Sequence, residues 1–197
     1  MGKKKKKKLQ QVETPKDMKM PGMLMRENGV IMLSGQFDEE TIQPIVQEII
    51  EHNLKDEDDQ PEEIKLIINS PGGQVHQCWQ LIDTMKMSTI PIRTIGQGLV
   101  ASCGVLTLMA GDTRAITHNT SVMSHTYSWG SRGKEGELMA IVKEFEYASE
   151  RMMDHYRKCT KKSKSYIRKN LLHAHDEWMS PEDCVKHGIV DEIWETY

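Results

Sequence analysis

Between residues 30 and 110 the chain repeats one pattern three times: a short apolar run, a turn, and then apolar residues at helical spacing. The apolar runs occupy residues 30–33, 64–69 and 91–95. Short apolar runs bounded by turn-forming residues are typical of strands buried on both faces, and strands that alternate with helices form a parallel sheet. The repeat therefore predicts a layered α/β fold rather than an all-helical or all-β one.

The helix of the first repeat contains a proline. Ile42 and Ile45 lie on its apolar side, and Pro44 lies between them. We predict that Thr41 caps this helix, because Pro44 would then fall in the first turn, where backbone N–H groups have no helical partner. The acidic stretch at 55–63 is predicted to be a solvated loop.

The remainder of the chain continues with strands and helices. We predict strands at 113–117 and 121–124, helices at 137–159 and 164–172, a helix that begins at Ser180 and Pro181, and a final strand at 189–194. The helix at 137–159 is much longer than its neighbours and carries an apolar stripe. Such a stripe packs on the chain's own sheet or contacts another subunit, and the sequence leaves both possibilities open.

The charge of the chain is divided unevenly. Six consecutive lysines occupy residues 3–8, and removing their charges takes the net charge from −3 to −9. A block of like charges repels itself, so we predict a flexible, basic, Met-rich segment at 1–27 and a single domain at 28–197. No aromatic residue accompanies the lysines, which makes a nucleic-acid partner the weaker interpretation of this segment.

Four cysteines lie far apart and form no CxxC pair: Cys78, Cys103, Cys159 and Cys184. This spacing predicts neither a disulfide framework nor a zinc site, and we expect no metal and no cofactor. No apolar run approaches the length of a transmembrane segment. Together these features predict a cytoplasmic protein.

A turn rich in small residues at 96–104 presents one serine, Ser102, where a strand is predicted to end and a helix to begin. Serine at such a junction either caps the helix or stands exposed beside unpaired N–H groups that can stabilise negative charge. A second turn, containing Gly72 and Gly73, follows the strand at 64–69. It brings backbone N–H groups to the same edge of the sheet, but it lacks the lysine of a P-loop.

Nucleophilic acyl transfer needs a hydroxyl, a base, an acid that orients the base, and donors for the oxyanion. Ser102, His125 and Asp176 offer the first three groups in chain order. Ser102 does not lie in a GxSxG motif, because Val100 occupies the place of the first glycine. Spacing alone therefore does not select these three residues from the other serines, histidines and acids.

Several motifs appear together in one order. They are INSPGG at 68–73, GQGLVASCG at 96–104, VMSH at 122–125, DEWMSPED at 176–183 and GIVDEI at 188–193. In these motifs the chain resembles the proteolytic subunit of the Clp protease, the ClpP family of self-compartmentalising serine peptidases, over about 28–194. After the histidine this chain has Thr126 and Tyr127, where the family usually has Gln-Pro.

The resemblance implies a crotonase-like spiral of ββα units, with the long helix and its approach at 126–160 projecting as a handle. It implies two stacked heptameric rings, a homo-oligomeric tetradecamer, that enclose a chamber for cutting unfolded polypeptides. Because this chain has no P-loop, ATP would be used by a separate AAA+ unfoldase. A glycine-rich strand and loop at 128–136 would pair with the substrate backbone.

The resemblance also implies roles for individual residues. Ser102 would be the nucleophile, His125 the general base and Asp176 the orienting acid. The remaining implied site residues are the oxyanion donors Gly72 and Cys103, through their backbone N–H groups, and the substrate-binding residues Gly73, Tyr127, Ser128, Trp129 and Gly130. Two alternatives stay open: a crotonase-type enzyme acting on acyl-CoA thioesters, and a non-catalytic ring subunit.

Overall fold

The computed structural model describes residues 22–195, so the predictions for the lysine run lie outside the described residues. The strands are β1 (Val30–Ser34), β2 (Ile64–Ser70), β3 (Ile92–Ala101), β4 (Thr113–Ile116), β5 (Ser121–Ser124), β6 (Glu177–Met179) and β7 (Glu192–Ile193). The helices are α1 (Met23–Glu27), α2 (Glu39–Asn53), α3 (Val75–Met87), α4 (Cys103–Met109), α5 (Glu135–Thr160), α6 (Lys164–Asn170) and α7 (Pro181–His187). The predicted α/β class is confirmed.

The strands form one sheet with the order β1-β2-β3-β4-β7, and all neighbours in this order are parallel. β5 also pairs in parallel with β3, and β6 pairs antiparallel with β5. Apolar side chains of the strands and of the helices packed on them form the main core. Within residues 22–195 no helix has both the length and the apolar character needed to cross a bilayer.

β3 is longer than predicted, and the sheet branches along it. The turn expected to begin at Gly96 is instead continuous strand that reaches Ala101. The first half of β3 pairs with β4, from Arg93 to Gly96, while the second half pairs with β5, from Leu99 to Ala101. The branch allows two strands to end beside the carboxyl end of β3. The final strand, predicted over 189–194, is only two residues long.

One of the two predicted helix N-caps is confirmed and the other is wrong. Ser180 caps α7 as predicted, with its hydroxyl accepting from the Asp183 N–H at 3.2 Å. The predicted cap of α2 was wrong: Asp38 is the cap, and its carboxylate accepts from the Thr41 N–H at 2.8 Å. Pro44 therefore lies inside the helix rather than in its first turn.

α1 lies inside the segment that the sequence predicts to be flexible. Arg26 on this helix forms an ion pair with Glu48 of α2, at 3.7 Å between Nε and Oε2. The pair connects the start of the described chain to the domain. The predicted acidic loop at 55–63 contains a short 3₁₀ helix, Glu57–Asp59, and none of the residues of that helix is buried.

The long helix α5 buries its apolar stripe over only half of its length. Its second half packs on the core through Ala148, Met152, Met153 and Tyr156. In its first half the large apolar side chains are exposed: Leu138, Met139, Val142 and Phe145. A helix with an uncovered apolar half has a surface suited to another protein chain.

Tyr156 joins α5 to the strand that carries the candidate base. Its hydroxyl lies 2.6 Å from Ser124 Oγ, and Ser124 in turn donates to the Leu171 carbonyl at 2.7 Å. Burial raises the pKa of Tyr156, so the hydroxyl stays neutral.

We expect Tyr156→Phe to lower the free energy of unfolding by about 1 kcal/mol, because one buried hydrogen bond is lost. Urea denaturation would measure it, and Tyr147→Phe on the exposed side of α5 should leave stability unchanged.

Candidate active site

Ser102 and His125 follow the carboxyl ends of two neighbouring parallel strands. Ser102 comes directly after β3, and His125 comes directly after β5. Parallel strands end at the same edge of a sheet, and the pairing of Ala101 with Met123 aligns these two ends. His125 Nε2 lies 2.9 Å from Ser102 Oγ, a hydrogen-bond distance that suits proton transfer.

Ser102 has a backbone conformation that non-glycine residues rarely adopt, with φ 55° and ψ −116°. Ser102 occupies the N-cap position of α4, but its side chain makes no capping hydrogen bond, so the hydroxyl is available for other contacts. The surrounding sheet holds the strained backbone in place, since the Ser102 N–H donates to the Met123 carbonyl at 2.9 Å. A sharp strand-to-helix turn of this kind exposes a nucleophilic hydroxyl.

The glycine turn after β2 packs directly against this serine. A β-carbon on Gly72 would lie 2.6 Å from Ser102 Cβ and 2.9 Å from the Ala101 carbonyl oxygen. Gly72 also has φ 94°, in the left-handed region. Two hydrogen bonds with Phe37 hold the turn: the Phe37 N–H donates to the Gly72 carbonyl, and the Gln74 N–H donates to the Phe37 carbonyl. Only glycine permits this close approach of the two backbones.

The candidate oxyanion donors differ in whether they are free. The Gly72 N–H already donates to Ser70 Oγ at 3.1 Å, which leaves it engaged. The Gly73 N–H has no hydrogen-bond acceptor within residues 22–195. Cys103 is the first residue of α4, where the backbone N–H lacks a helical acceptor. The resemblance assigned Gly72 to the oxyanion and Gly73 to substrate binding; the serine two residues before Gly72 is the sequence signal for the local bond that engages the Gly72 N–H.

The pairing of β5 with β6 brings the backbone of Asp176 close to His125, but the two side chains do not make contact. Ser124 pairs with Glu177 in the antiparallel ladder of β5 and β6. His125 follows Ser124 and Asp176 precedes Glu177, so these two residues come next to one another. The Asp176 side chain is exposed. Within the part of the chain that the structure describes, no hydrogen bond or ion pair joins Asp176 to His125. The structure thus brings two of the three predicted catalytic side chains together and places the third nearby.

The residues predicted to bind substrate follow the histidine directly. Tyr127 packs against the core and is half-buried, while Ser128, Trp129 and Gly130 are exposed. Trp129 makes an edge-on contact with Phe145 of α5, with ring centroids 5.4 Å apart. The strand predicted in this segment is absent, because residues 125–134 form no regular structure among the described residues.

The two thiols near the site hydrogen-bond to its turns, and their pKa values shift in opposite directions: the hydrogen bond with Cys78 lowers the pKa of the Cys103 thiol. Cys103 Sγ donates to the Gly73 carbonyl at 3.4 Å, and Cys78 Sγ donates to the Cys103 carbonyl at 3.5 Å. Burial raises the pKa of the Cys78 thiol well above its usual range, so Cys78 stays protonated. Both thiols stabilise the turn that carries Ser102.

Comparison with known proteins agrees with this geometry. The model of the Clp protease family matches residues 13–197. A relative from Deinococcus radiodurans, named ATP-dependent Clp protease proteolytic subunit, is 33% identical over 142 residues, which cover 71% of this chain and 69% of that protein. Proteins named ATP-dependent Clp protease proteolytic subunit 1 are 30% identical in Corynebacterium jeikeium and 31% identical in Prochlorococcus marinus strain MIT 9312, each over 172 residues.

The matches to the last two subunits are more complete. Each covers 86% of this chain; the first covers 88% of the Corynebacterium jeikeium protein and the second covers 85% of the Prochlorococcus marinus protein. The match to the family model extends over far more than half of the chain. The mixed α/β architecture is consistent with the fold that the resemblance implies. This chain therefore belongs to the Clp protease family.

Proposed function

We propose that this chain is a serine endopeptidase, the proteolytic subunit of an ATP-dependent protease. The observation that carries the proposal is the 2.9 Å contact between His125 Nε2 and the hydroxyl of a strained serine. The two alternative functions give this contact no purpose. A crotonase-type acyl-CoA enzyme would rely on paired N–H groups, and a non-catalytic ring subunit would need neither a base nor a strained serine.

In the proposed reaction Ser102 Oγ attacks the carbonyl carbon of a peptide bond while His125 Nε2 takes its proton. The oxyanion would accept hydrogen bonds from the N–H groups of Cys103 and Gly73, a choice supported by the lack of an acceptor for either group within residues 22–195. His125 then gives the proton to the leaving amine, which departs and leaves an acyl-enzyme. Water, deprotonated by His125, hydrolyses that ester and regenerates Ser102.

Asp176 is proposed to orient His125 once its side chain turns toward the ring. The pairing of β5 with β6 places its backbone beside His125, so the change needed is local. A carboxylate there would hold the imidazole in the tautomer that accepts the serine proton and would stabilise the imidazolium that forms. Catalytic contacts of this kind can tighten only when substrate is bound.

The assembly and the partners belong to the same proposal. The exposed apolar half of α5 supports self-association, and stacked heptameric rings are the arrangement that the family resemblance implies. Relatives named as subunits of an ATP-dependent protease support a separate AAA+ unfoldase that delivers unfolded polypeptides. The segment at 127–130 follows closely after His125 along the chain and contacts the exposed part of α5 through Trp129, so we propose that it contacts the substrate. A cytoplasmic location stays a prediction.

A fluorophosphonate probe tests the chemistry directly, because it reacts with an activated serine and not with an ordinary one. We expect the probe to label the folded full-length chain on Ser102 alone, as measured by mass spectrometry of the digested protein. His125→Ala should slow the labelling at least a hundredfold, since the base that activates the hydroxyl is gone. Labelling spread over several serines, or equal labelling of a heat-denatured sample, would contradict the proposal.

A further inference from the structure

Two histidines and a glutamate form a cluster beside the candidate active site. His173 Nε2 lies 3.4 Å and His175 Nε2 lies 3.8 Å from the same carboxylate oxygen of Glu177. The two imidazole rings stack with centroids 4.7 Å apart. One ligand atom from each of the three residues lies within 4.8 Å of the other two. This cluster has no part in the proposed peptide hydrolysis.

The three residues are two apart along the chain, in a segment that bends at Ala174 and His175 before β6 begins at Glu177. Both imidazoles face the same carboxylate oxygen of Glu177. The expectation of no metal rested on cysteine spacing and did not consider histidines. The signal that could have found the cluster is the pattern His-x-His-x-Glu leading into a strand.

We propose that His173, His175 and Glu177 bind a divalent transition-metal ion of the zinc type. Two imidazoles and one carboxylate suit zinc, with an open fourth position for water. At metal–ligand distances of about 2.0–2.1 Å, two ligand atoms in a tetrahedral site lie about 3.4 Å apart. The two distances to Glu177, 3.4 Å and 3.8 Å, are close to this value, so side-chain rotations of the two histidines would complete the site.

The site would also control the proposed peptidase, and this step rests on the proposed function. Asp176 lies between two of the ligands and makes no hydrogen bond to His125 within the described part of the chain. The His173 carbonyl accepts from Thr126 Oγ1 at 3.3 Å, which ties the start of the cluster to the residue after His125. A metal ion that binds the cluster stabilises the conformation in which Asp176 makes no contact with His125, by mass action. It therefore opposes rotation of the Asp176 side chain toward His125. Metal binding therefore inhibits hydrolysis.

The binding test uses the full chain with Ser102→Ala, so that its outcome does not depend on activity. Zinc is titrated in competition with a chromophoric indicator, and we expect one ion per chain. His175→Ala should weaken binding at least tenfold, and this side chain is 73% exposed, so the variant should fold. His118→Ala is the matched control, because His118 lies 3.9 Å from Glu195 in an exposed pair outside the cluster. Equal binding by the His175 variant and its parent would overturn the metal site.

The control of activity is tested with the serine in place. Zinc should slow hydrolysis of a fluorogenic peptide by the parent chain, while His175→Ala should resist zinc concentrations that saturate the parent. Inhibition of both proteins at the same zinc concentration would mean that zinc acts elsewhere, for example on His125, and would overturn the control step. A chain that binds zinc at the cluster but hydrolyses no peptide would contradict the proposed function and leave the metal site standing.

Discussion

Ser102→Ala is expected to lower peptide hydrolysis by roughly 10⁴ to 10⁶-fold, the largest effect of any single substitution in this chain. The Ser102 hydroxyl is the only proposed group that forms a covalent bond to the substrate, so no neighbouring side chain can replace it. Removing Oγ leaves the backbone N–H groups of Cys103 and Gly73, which retain only weak catalysis through binding and oxyanion stabilisation. The measurement is kcat/KM on a short fluorogenic peptide.

The matched control is Ser165→Ala, because Ser165 is an exposed serine on α6, away from the site. It should retain full activity. The oligomeric state of Ser102→Ala, measured by light scattering, should equal that of the parent chain, since the substitution removes one hydroxyl whose hydrogen bond is to His125 of the same chain. If the alanine variant still cleaves the peptide at more than about a hundredth of the parent rate, Ser102 is not the nucleophile.

Gly72→Ala is expected to lower kcat/KM at least about a hundredfold, although Gly72 supplies no side chain to the reaction. The added methyl group would lie 2.6 Å from Ser102 Cβ, so the serine or the glycine turn must move. Either movement changes the distance from Ser102 Oγ to the base and to the oxyanion donors. The left-handed φ of Gly72 adds strain, and we expect stability to fall by about 1–3 kcal/mol in chemical denaturation.

Gly35→Ala separates the clash from the backbone strain. Gly35 has φ 107°, but a β-carbon there would meet no atom within 4 Å. This variant should lose stability for the same backbone reason and keep its activity. Equal activity losses in the two variants would show that strain alone, rather than displacement of Ser102, accounts for the effect at Gly72.

Much of the fold could be predicted from local sequence patterns. The alternation of apolar runs with helical stripes predicted the α/β class, because each element must bury an apolar face against another layer. The start of α7 was predicted from Ser180 and Pro181, since the cap lies next to the groups that it satisfies. The cap of α2 was placed wrongly at Thr41, because a hydroxyl and the carboxylate of Asp38 compete for the same role and sequence does not rank them reliably.

The branching of the sheet could not be predicted in this way. Nothing in residues 96–101 distinguishes a turn from a strand that changes partners halfway along its length, because pairing depends on residues distant in sequence. β5 lies beside β3 only in the folded chain, and that placement brings His125 to Ser102. The apolar stripe of α5 likewise says which residues avoid water, but only packing decides that the second half is covered and the first half is not.

The sequence by itself determined the layered α/β architecture, the family resemblance and the identity of Ser102, His125 and Asp176 as candidates. The tertiary structure decided that Ser102 sits at the helix N-cap in a strained conformation with its hydroxyl on His125 rather than on the helix. It also decided that, within residues 22–195, the Gly72 N–H is engaged and the Gly73 N–H is not, and that Asp176 makes no contact with His125. The physical reason is that motifs record residue types and local spacing. Hydrogen bonds between separate strands and turns depend on distances that only the folded chain sets.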